Sequence, residues 1–209
     1  PEMTNLQYKN KYSPEQNMGN TTSQHNRLTS SSLPLSRRIS SIFKEFVTGM
    51  KLAHLKSDNC NHEIDTLVSH NLRLLHKRLL QVPEYVAAFN DITRTENKSD
   101  ALWQSLFEER DVTCGFLTIQ PHQDMPCYCH PGMNSMYLVL SGEARLKQYT
   151  LQGADNEHMN FDITSSRDLT TGDTIYFNAD NTRLANLNTA DETCVLFNVQ
   201  LSWPYKLNS

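Results

Sequence analysis

The chain has 209 residues, a formal net charge of -4 and 38 % hydrophobic residues, enough for one domain with its own core plus an extension. So small a charge, with no cluster of Lys and Arg, argues against a nucleic-acid partner, and no apolar run is long enough to span a bilayer. Five scattered cysteines, Cys60, Cys114, Cys127, Cys129 and Cys194, read as reduced thiols. Pro1 to Asn20 lacks the apolar stretch of a secretion signal, so a cytoplasmic protein is expected.

Residues 1–35 are rich in Asn, Gln, Ser and Thr. A segment so poor in large apolar side chains does not bury enough surface to offset the entropy of ordering, and it reads as a polar arm. Residues 36–110 read as a helical extension. Ile39, Ile42, Phe43, Phe46, Val47 and Met50 recur at helical spacing, which predicts a helix over Ser36–Ala53. Ile64, Leu67, Val68, Leu72, Leu75 and Leu79 predict a second over Glu63–Val82. Pro83 stops that helix and opens a short one through Tyr85, Val86 and Phe89. Leu102, Trp103, Leu106 and Phe107 fit a last helical turn. His54, His62, His70 and His76 lack carboxylate or thiol partners at metal-ligand spacing and read as surface or packing residues.

Residues 111–205 lose the helical period. Cys114–Gln120, Pro126–His130, Met136–Leu140, Ala144–Thr150, Met159–Thr164, Thr174–Phe177, Leu184–Leu187 and Cys194–Leu201 read as strands separated by turn residues. Short antiparallel strands in this number predict two sheets closed on one another as a jelly roll or small barrel.

Two units within this region share a frame. The first runs through Tyr128, His130-Pro131-Gly132 and Met136 to Leu140, and ends on Ser141-Gly142-Glu143. The second begins at Gly172-Asp173, passes Asn178 and reaches Asn188-Thr189-Ala190-Asp191-Glu192. In layout and order they resemble the two motifs of the cupin superfamily, and the first looks most like the thiol dioxygenases of the cysteine and cysteamine type. The resemblance implies a mainly β fold, a cupin-type jelly roll with an N-terminal α-helical extension. It also implies a site where three histidines hold ferrous iron and leave positions open for a thiolate and dioxygen.

The site residues depart from that pattern. Tyr128 stands at the first histidine position and His130 at the second, and the acid position falls on Asn134 or Ser135. The third histidine position falls on Leu184, or on Arg183 after a slip of one residue. A phenol with an ordinary pKa near ~10 is a poor ligand for ferrous iron at neutral pH, which leaves His130 as the single family-type metal ligand. Strand alternation puts Tyr128 and His130 on one face, which the family frame turns into the barrel, and Cys127 and Cys129 on the other. His122 stands where the family has a turn glycine and is expected at the surface.

Tyr128, His130, Asn134, Tyr176, Arg183 and Asn186 are the residues expected to line a pocket at the former metal position. An inward Arg183 would suit a carboxylate or phosphate, with Tyr128 and His130 as further hydrogen-bonding groups; at the barrel mouth it would lie in water. Three readings follow. The first is a small-molecule-binding sensor or regulatory module without a cofactor. The second is an iron oxygenase with an unusual ligand set and Fe2+ as cofactor. The third is a structural protein-interaction module that uses its helices and polar arm. Sheet pairing as in other cupins makes a homodimer the expected assembly.

Overall fold

The computed structural model describes residues 37–56, 61–94, 102–109, 112–128, 133–154, 159–177, 184–189 and 191–202. Three helices, α1 (Arg37–Lys56), α2 (Asn61–Leu79) and α3 (Pro83–Arg94), precede nine strands. The strands are β1 (Leu102–Glu109), β2 (Val112–Ile119), β3 (Asp124–Tyr128), β4 (Met133–Ser141), β5 (Ala144–Ala154), β6 (Met159–Leu169), β7 (Thr174–Phe177), β8 (Leu184–Asn188) and β9 (Cys194–Ser202). They form a five-stranded sheet, β1-β2-β9-β4-β7, and a four-stranded sheet, β3-β8-β5-β6. Every pairing is antiparallel. With β1 set aside, the eight remaining strands interleave as two Greek keys, which is the jelly-roll order. The mainly β fold with a helical extension is therefore as expected from the sequence.

The helices cover the outer face of the five-stranded sheet. Ile39, Ile42, Phe43, Phe46 and Met50 of α1, with Val68, Leu72, Leu75 and Leu79 of α2, share one core with Phe107, Cys114, Phe116, Met136, Leu138, Phe197 and Val199. The 3.6-residue spacing of these side chains is what lets one helix face meet the sheet. Leu67 departs from the expected stripe and is exposed. Phe43 stacks on Phe107 with centroids 4.8 Å apart, Ser69 bonds Thr174 at 2.6 Å, and Arg73 donates to the Gly172 carbonyl at 3.0 Å.

Leu102 to Phe107 is strand rather than the expected helical turn. These residues pair with Phe116, Leu117 and Thr118 through a register shift between Ser105 and Phe107. That bulge leaves an extra residue in β1 and interrupts the period of two, so the apolar spacing imitates a helix.

The two motif turns contain Gly142 (φ 76°) and Gly172 (φ 94°). A Cβ at Gly142 would meet the Thr193 carbonyl oxygen, so both conformation and space favour glycine there. His122 takes the left-handed conformation too (φ 61°) and is exposed, as its turn position predicted. Cys114 and Cys194 are free, buried thiols. Burial raises the Cys114 pKa well above its usual value. Burial, with the neighbouring Glu192 carboxylate, pushes Cys194 up to about 12.

His76 is a packing residue, as expected. Its Nδ1 lies 2.8 Å from the Tyr85 hydroxyl and its ring meets Tyr85 and Phe197 at centroid distances of 5.7 and 6.1 Å. Burial lowers its pKa. The unfolded chain therefore binds this proton more readily than the native protein. Its contribution is fully present above the unfolded value near ~6.5 and is lost as pH falls below it toward the lower native value. Urea unfolding between pH 7.5 and 5 should show the wild type losing more stability than His76→Gln. Parallel pH profiles would remove His76 from this account.

Candidate functional site

The side-chain period of two decides which residues enter the space between the sheets. Along β4, Met136 and Leu138 join the helix-side core while Tyr137 and Val139 join the core between the sheets. Along β9, Val195, Phe197, Val199 and Leu201 face the helices, and Cys194 and Leu196 face the second sheet. Along β2, Cys114 and Phe116 face the helices, and Leu117 and Ile119 the second sheet. By the same alternation Thr113, Gly115, Ser135, Asn198 and Gln200 are interior positions.

Strand register arranges these positions in rows. Leu117, Leu196 and Val139 are directly opposed across β2, β9 and β4. The next row toward the start of β2 is Gly115, Asn198, Tyr137 and Ile175. The one after is Thr113, Gln200, Ser135 and Phe177. The interior is thus graded, apolar at the Ile119 and Cys194 end and hydrogen-bonding at the Thr113 and Ser135 end.

The polar groups at that end differ in how well they are satisfied. Asn198 is buried, and its Nδ2 donates to the Met136 carbonyl at 3.0 Å. Ser135 is 1 % exposed, and its Oγ has no hydrogen-bond partner among the described residues. Burying a hydroxyl in that state costs roughly 1–3 kcal/mol. Such a group in a native interior calls for an explanation, and a role in binding is one.

Of the residues proposed from the sequence, Asn134, Tyr176 and Asn186 do not enter this space. Asn134 and Tyr176 do meet, with the Tyr176 hydroxyl donating to Asn134 Oδ1 at 3.0 Å. They do so on the helix-facing side of the sheet, because Asn134 is opposite Leu201 and Tyr176 opposite Met136. The expectation that both line the barrel is corrected. Of the two alternatives for the acid position, Ser135 is the interior one. Asn186 also lies off the interior, since its neighbours Ala185 and Leu187 fill the inward positions of β8. It stands in the row Pro126, Asn186, Lys147 of the opposite face.

At backbone level Tyr128 pairs with Leu184, and Cys127 pairs with the inward Ala185. The register sets Tyr128, at the first family position, opposite Leu184, one of the two residues offered for the third. His130, Cys129 and Arg183 lie outside the described residues. Thr113, Ser135, Tyr137, Asn198 and Gln200 were not singled out as pocket residues by sequence reasoning. The signal was present in β9, where Asn198 and Gln200 interrupt Cys194-Val195-Leu196-Phe197 at a spacing of two.

A jelly roll of this strand order, with left-handed glycines at the end of the first motif frame and the start of the second, settles the architecture. The fold is a cupin fold. Solved structures similar to this chain include TT1209 from Thermus thermophilus, at 14 % identity and TM-score 0.42, covering 55 % of this chain and 95 % of that one. The Schizosaccharomyces pombe Cnp3 cupin domain matches at 9 % identity and TM-score 0.41, covering 54 % and 72 %. A Klebsiella pneumoniae protein with a double-stranded β-helix domain matches at 18 % identity and TM-score 0.39, covering 54 % and 80 %. No family model and no curated protein matches the chain.

The contrast between Ser135 and Asn134 is measurable. Replacing Ser135 by Ala removes an unsatisfied hydroxyl and should leave the ligand-free protein as stable or about 1 kcal/mol more stable. Asn134→Ala breaks a made hydrogen bond and should cost about 1 kcal/mol. Both are read from urea midpoints, and a destabilised Ser135→Ala would show that the hydroxyl has a partner in the ligand-free protein.

Proposed function

We propose that this cupin domain is a small-molecule-binding module, a sensor or regulatory unit, rather than a metal oxygenase. The observation that supports it is the polar end of the interior, where the buried Ser135 hydroxyl has no partner among the described residues and lies beside Asn198 and Gln200. Barrel interiors with an apolar floor and a few convergent polar groups suit small ligands. The rows of Thr113, Gln200 and Ser135 and of Asn198 and Tyr137 supply both donors and acceptors.

The iron of the thiol dioxygenases does not fit the residues present. The three family positions fall on Tyr128, on His130 and on Leu184 or Arg183; Leu184 has no lone pair to offer, and a guanidinium is charged and holds its nitrogen lone pairs in resonance. Among the described residues no three His, Cys, Asp or Glu side chains gather in metal-binding proximity. A phenol and one imidazole do not make the neutral three-nitrogen set that ferrous iron takes in that family.

A homodimer is proposed as the assembly, because β6 is an eleven-residue strand that, among the described strands, pairs with β5 alone, and Asp162 to Asp168 are exposed along it. An unpaired edge of that length is a template for a second copy. Light scattering should give twice the chain mass, and a monomeric mass would dismiss the pairing.

Two measurements test the functional proposal. Fragment screening by protein NMR should find compounds that shift the amide resonances of Ser135, Asn198 and Gln200. Absence of any such shift across a library of several hundred fragments would overturn the cavity reading. Protein from iron-supplemented medium should carry iron far below one per chain, and stoichiometric iron that disappears in His130→Ala would restore the oxygenase reading.

A further inference from the structure

The outer side of α1 and α2 carries a surface that the sheet does not use. α2 begins five positions after α1 ends, so the two helices run antiparallel and side by side. The Arg78 guanidinium, 2.7 Å from the Glu45 carboxylate, sets their relative level. Counting forward along α1 and backward along α2 from that pair, Gly49 comes level with Leu74 and Leu52 with Asn71. Leu67 lies one turn beyond. By helical phase Gly49 and Leu52 share the flank of α1 that bears Glu45, and Leu67 and Leu74 share the flank of α2 that bears Arg78. Leu52, Leu67 and Leu74 are 51, 39 and 47 % exposed, three of the six large apolar side chains left open among the described residues. Single exposed leucines are ordinary on a surface, but three along one seam form a patch. A Cβ at Gly49 would meet no neighbouring atom within 4 Å, so the seam has a gap in its α1 wall.

Charge decides what suits this seam. Between Arg38 and Leu52 on α1 and between Leu67 and Arg78 on α2 stand six Lys and Arg and one acid, Glu45, which Arg78 pairs. The chain as a whole has a net charge of -4, so the basic charge belongs to this surface and not to the composition. The cations are scattered along the sequence, and the helical period brings exposed Arg38, Lys44, Lys51 and Lys77 to the surface around the leucines. A segment with an apolar stripe and acidic neighbours answers both features, and the familiar form of such a segment is an amphipathic helix laid in a groove. A bilayer would meet the outward ridges first, and these carry Lys44, Thr48, His70 and Lys77 while the leucines lie on the flanks below. The chain's own first 36 residues contain Lys9, Lys11 and Arg27 against Glu2 and Glu15, and their basic balance does not complement the seam.

We infer that the outer seam between α1 and α2 is a docking groove for an acidic amphipathic helix of a partner protein. The apolar residues of that helix lie on Leu52, Leu67 and Leu74, and its carboxylates meet Arg38, Lys44 and Lys77. The groove is on the helical side of the five-stranded sheet, whereas β6 belongs to the other sheet, so pairing of two copies through β6 leaves it open. The inference goes beyond the ligand-binding proposal and does not depend on it.

The test uses the full chain and a phage-displayed library of random peptides of about 16 residues, roughly 24 Å as a helix. Enriched peptides should combine Leu, Ile or Phe at spacings of three and four with an excess of Asp and Glu. The tightest of them, made synthetically and followed by fluorescence anisotropy, should bind about threefold more weakly when salt rises from about 50 to about 300 mM. Gly49→Leu, which fills the gap, and the double variant Lys44→Glu/Lys77→Glu should each weaken it about tenfold. Thermal midpoints check that the variants fold, and Leu52→Ser repeats the test if Gly49→Leu lowers its midpoint.

A library that yields no binder overturns the inference, as do enriched peptides without an acidic excess or binding untouched by these substitutions. Vesicles of phosphatidylserine and phosphatidylcholine are sedimented with the chain in parallel. Vesicle binding that falls with Lys44→Glu/Lys77→Glu, in the absence of a peptide binder, would give the seam to a membrane surface instead. A light-scattering mass halved by the same double variant would give it to a second copy of the chain. Either result removes the partner helix.

Discussion

The five-stranded sheet is buried on both faces, and the rest of the molecule is arranged around that fact. Cys194 through Val199 in β9 and Asn134 through Val139 in β4 are buried without a break. An antiparallel sheet with one face in water would alternate, so these strands require two covers. The helices supply one and the four-stranded sheet the other. This explains the helical extension in physical terms: without α1 and α2, Phe107, Phe116, Met136, Leu138 and Phe197 would form an exposed apolar face, a liability for association. The aromatic contacts among Tyr85, Phe89, Phe116 and Phe197 join helix to sheet, and each pair adds about 0.5–1.5 kcal/mol beyond its buried area.

Double burial also makes parity decisive, because a shift of one residue moves a side chain from one core to the other. Asn134 and Ser135 are adjacent, both polar and both buried, yet one serves the helix interface and the other the barrel interior. The second sheet obeys a looser rule. Its outward row of Asp124, Asn188, Arg145 and Asp168 is held by exposed contacts, Asn188 to Asp124 and Arg145 to Asp168 at 2.6 Å each. The Arg145 guanidinium lowers the Asp168 pKa through that hydrogen bond. Such pairs in water contribute little to stability, and this face tolerates polarity that the first sheet does not.

This difference explains what was legible in the amino-acid sequence. The helices showed because Ile39, Ile42, Phe43 and Phe46 repeat at a spacing that only a helix places on one side. The motif turns showed because Gly142 and Gly172 occupy conformations that restrict the residue type. The strand β1 was hidden, since its bulge gave Leu102, Trp103, Leu106 and Phe107 a helix-like spacing. The site was hidden for a different reason. In a strand with two apolar faces, polarity does not announce which side is functional, and Tyr176 reads as interior until register places it opposite Met136. The family frame supplied a location for the site but not the parity of its residues. Ser135 was in view as an alternative to Asn134, and only the pairing with Gln200 and Phe177 separates them.

The graded interior divides the barrel along its length. Ile119, Leu117, Leu196, Val139, Leu146 and Leu187 fill one end with side chains that have no polar atoms to satisfy, and that end secures the closure of the two sheets. At the other end the same strands carry Ser135, Asn198 and Gln200, where each polar atom must find a partner or weaken the fold. Asn198 meets this demand internally through Met136. Ser135 does not among the described residues, and a buried hydroxyl in that state costs stability. The apolar end makes that cost tolerable, since the closure of the barrel does not depend on the polar end being satisfied.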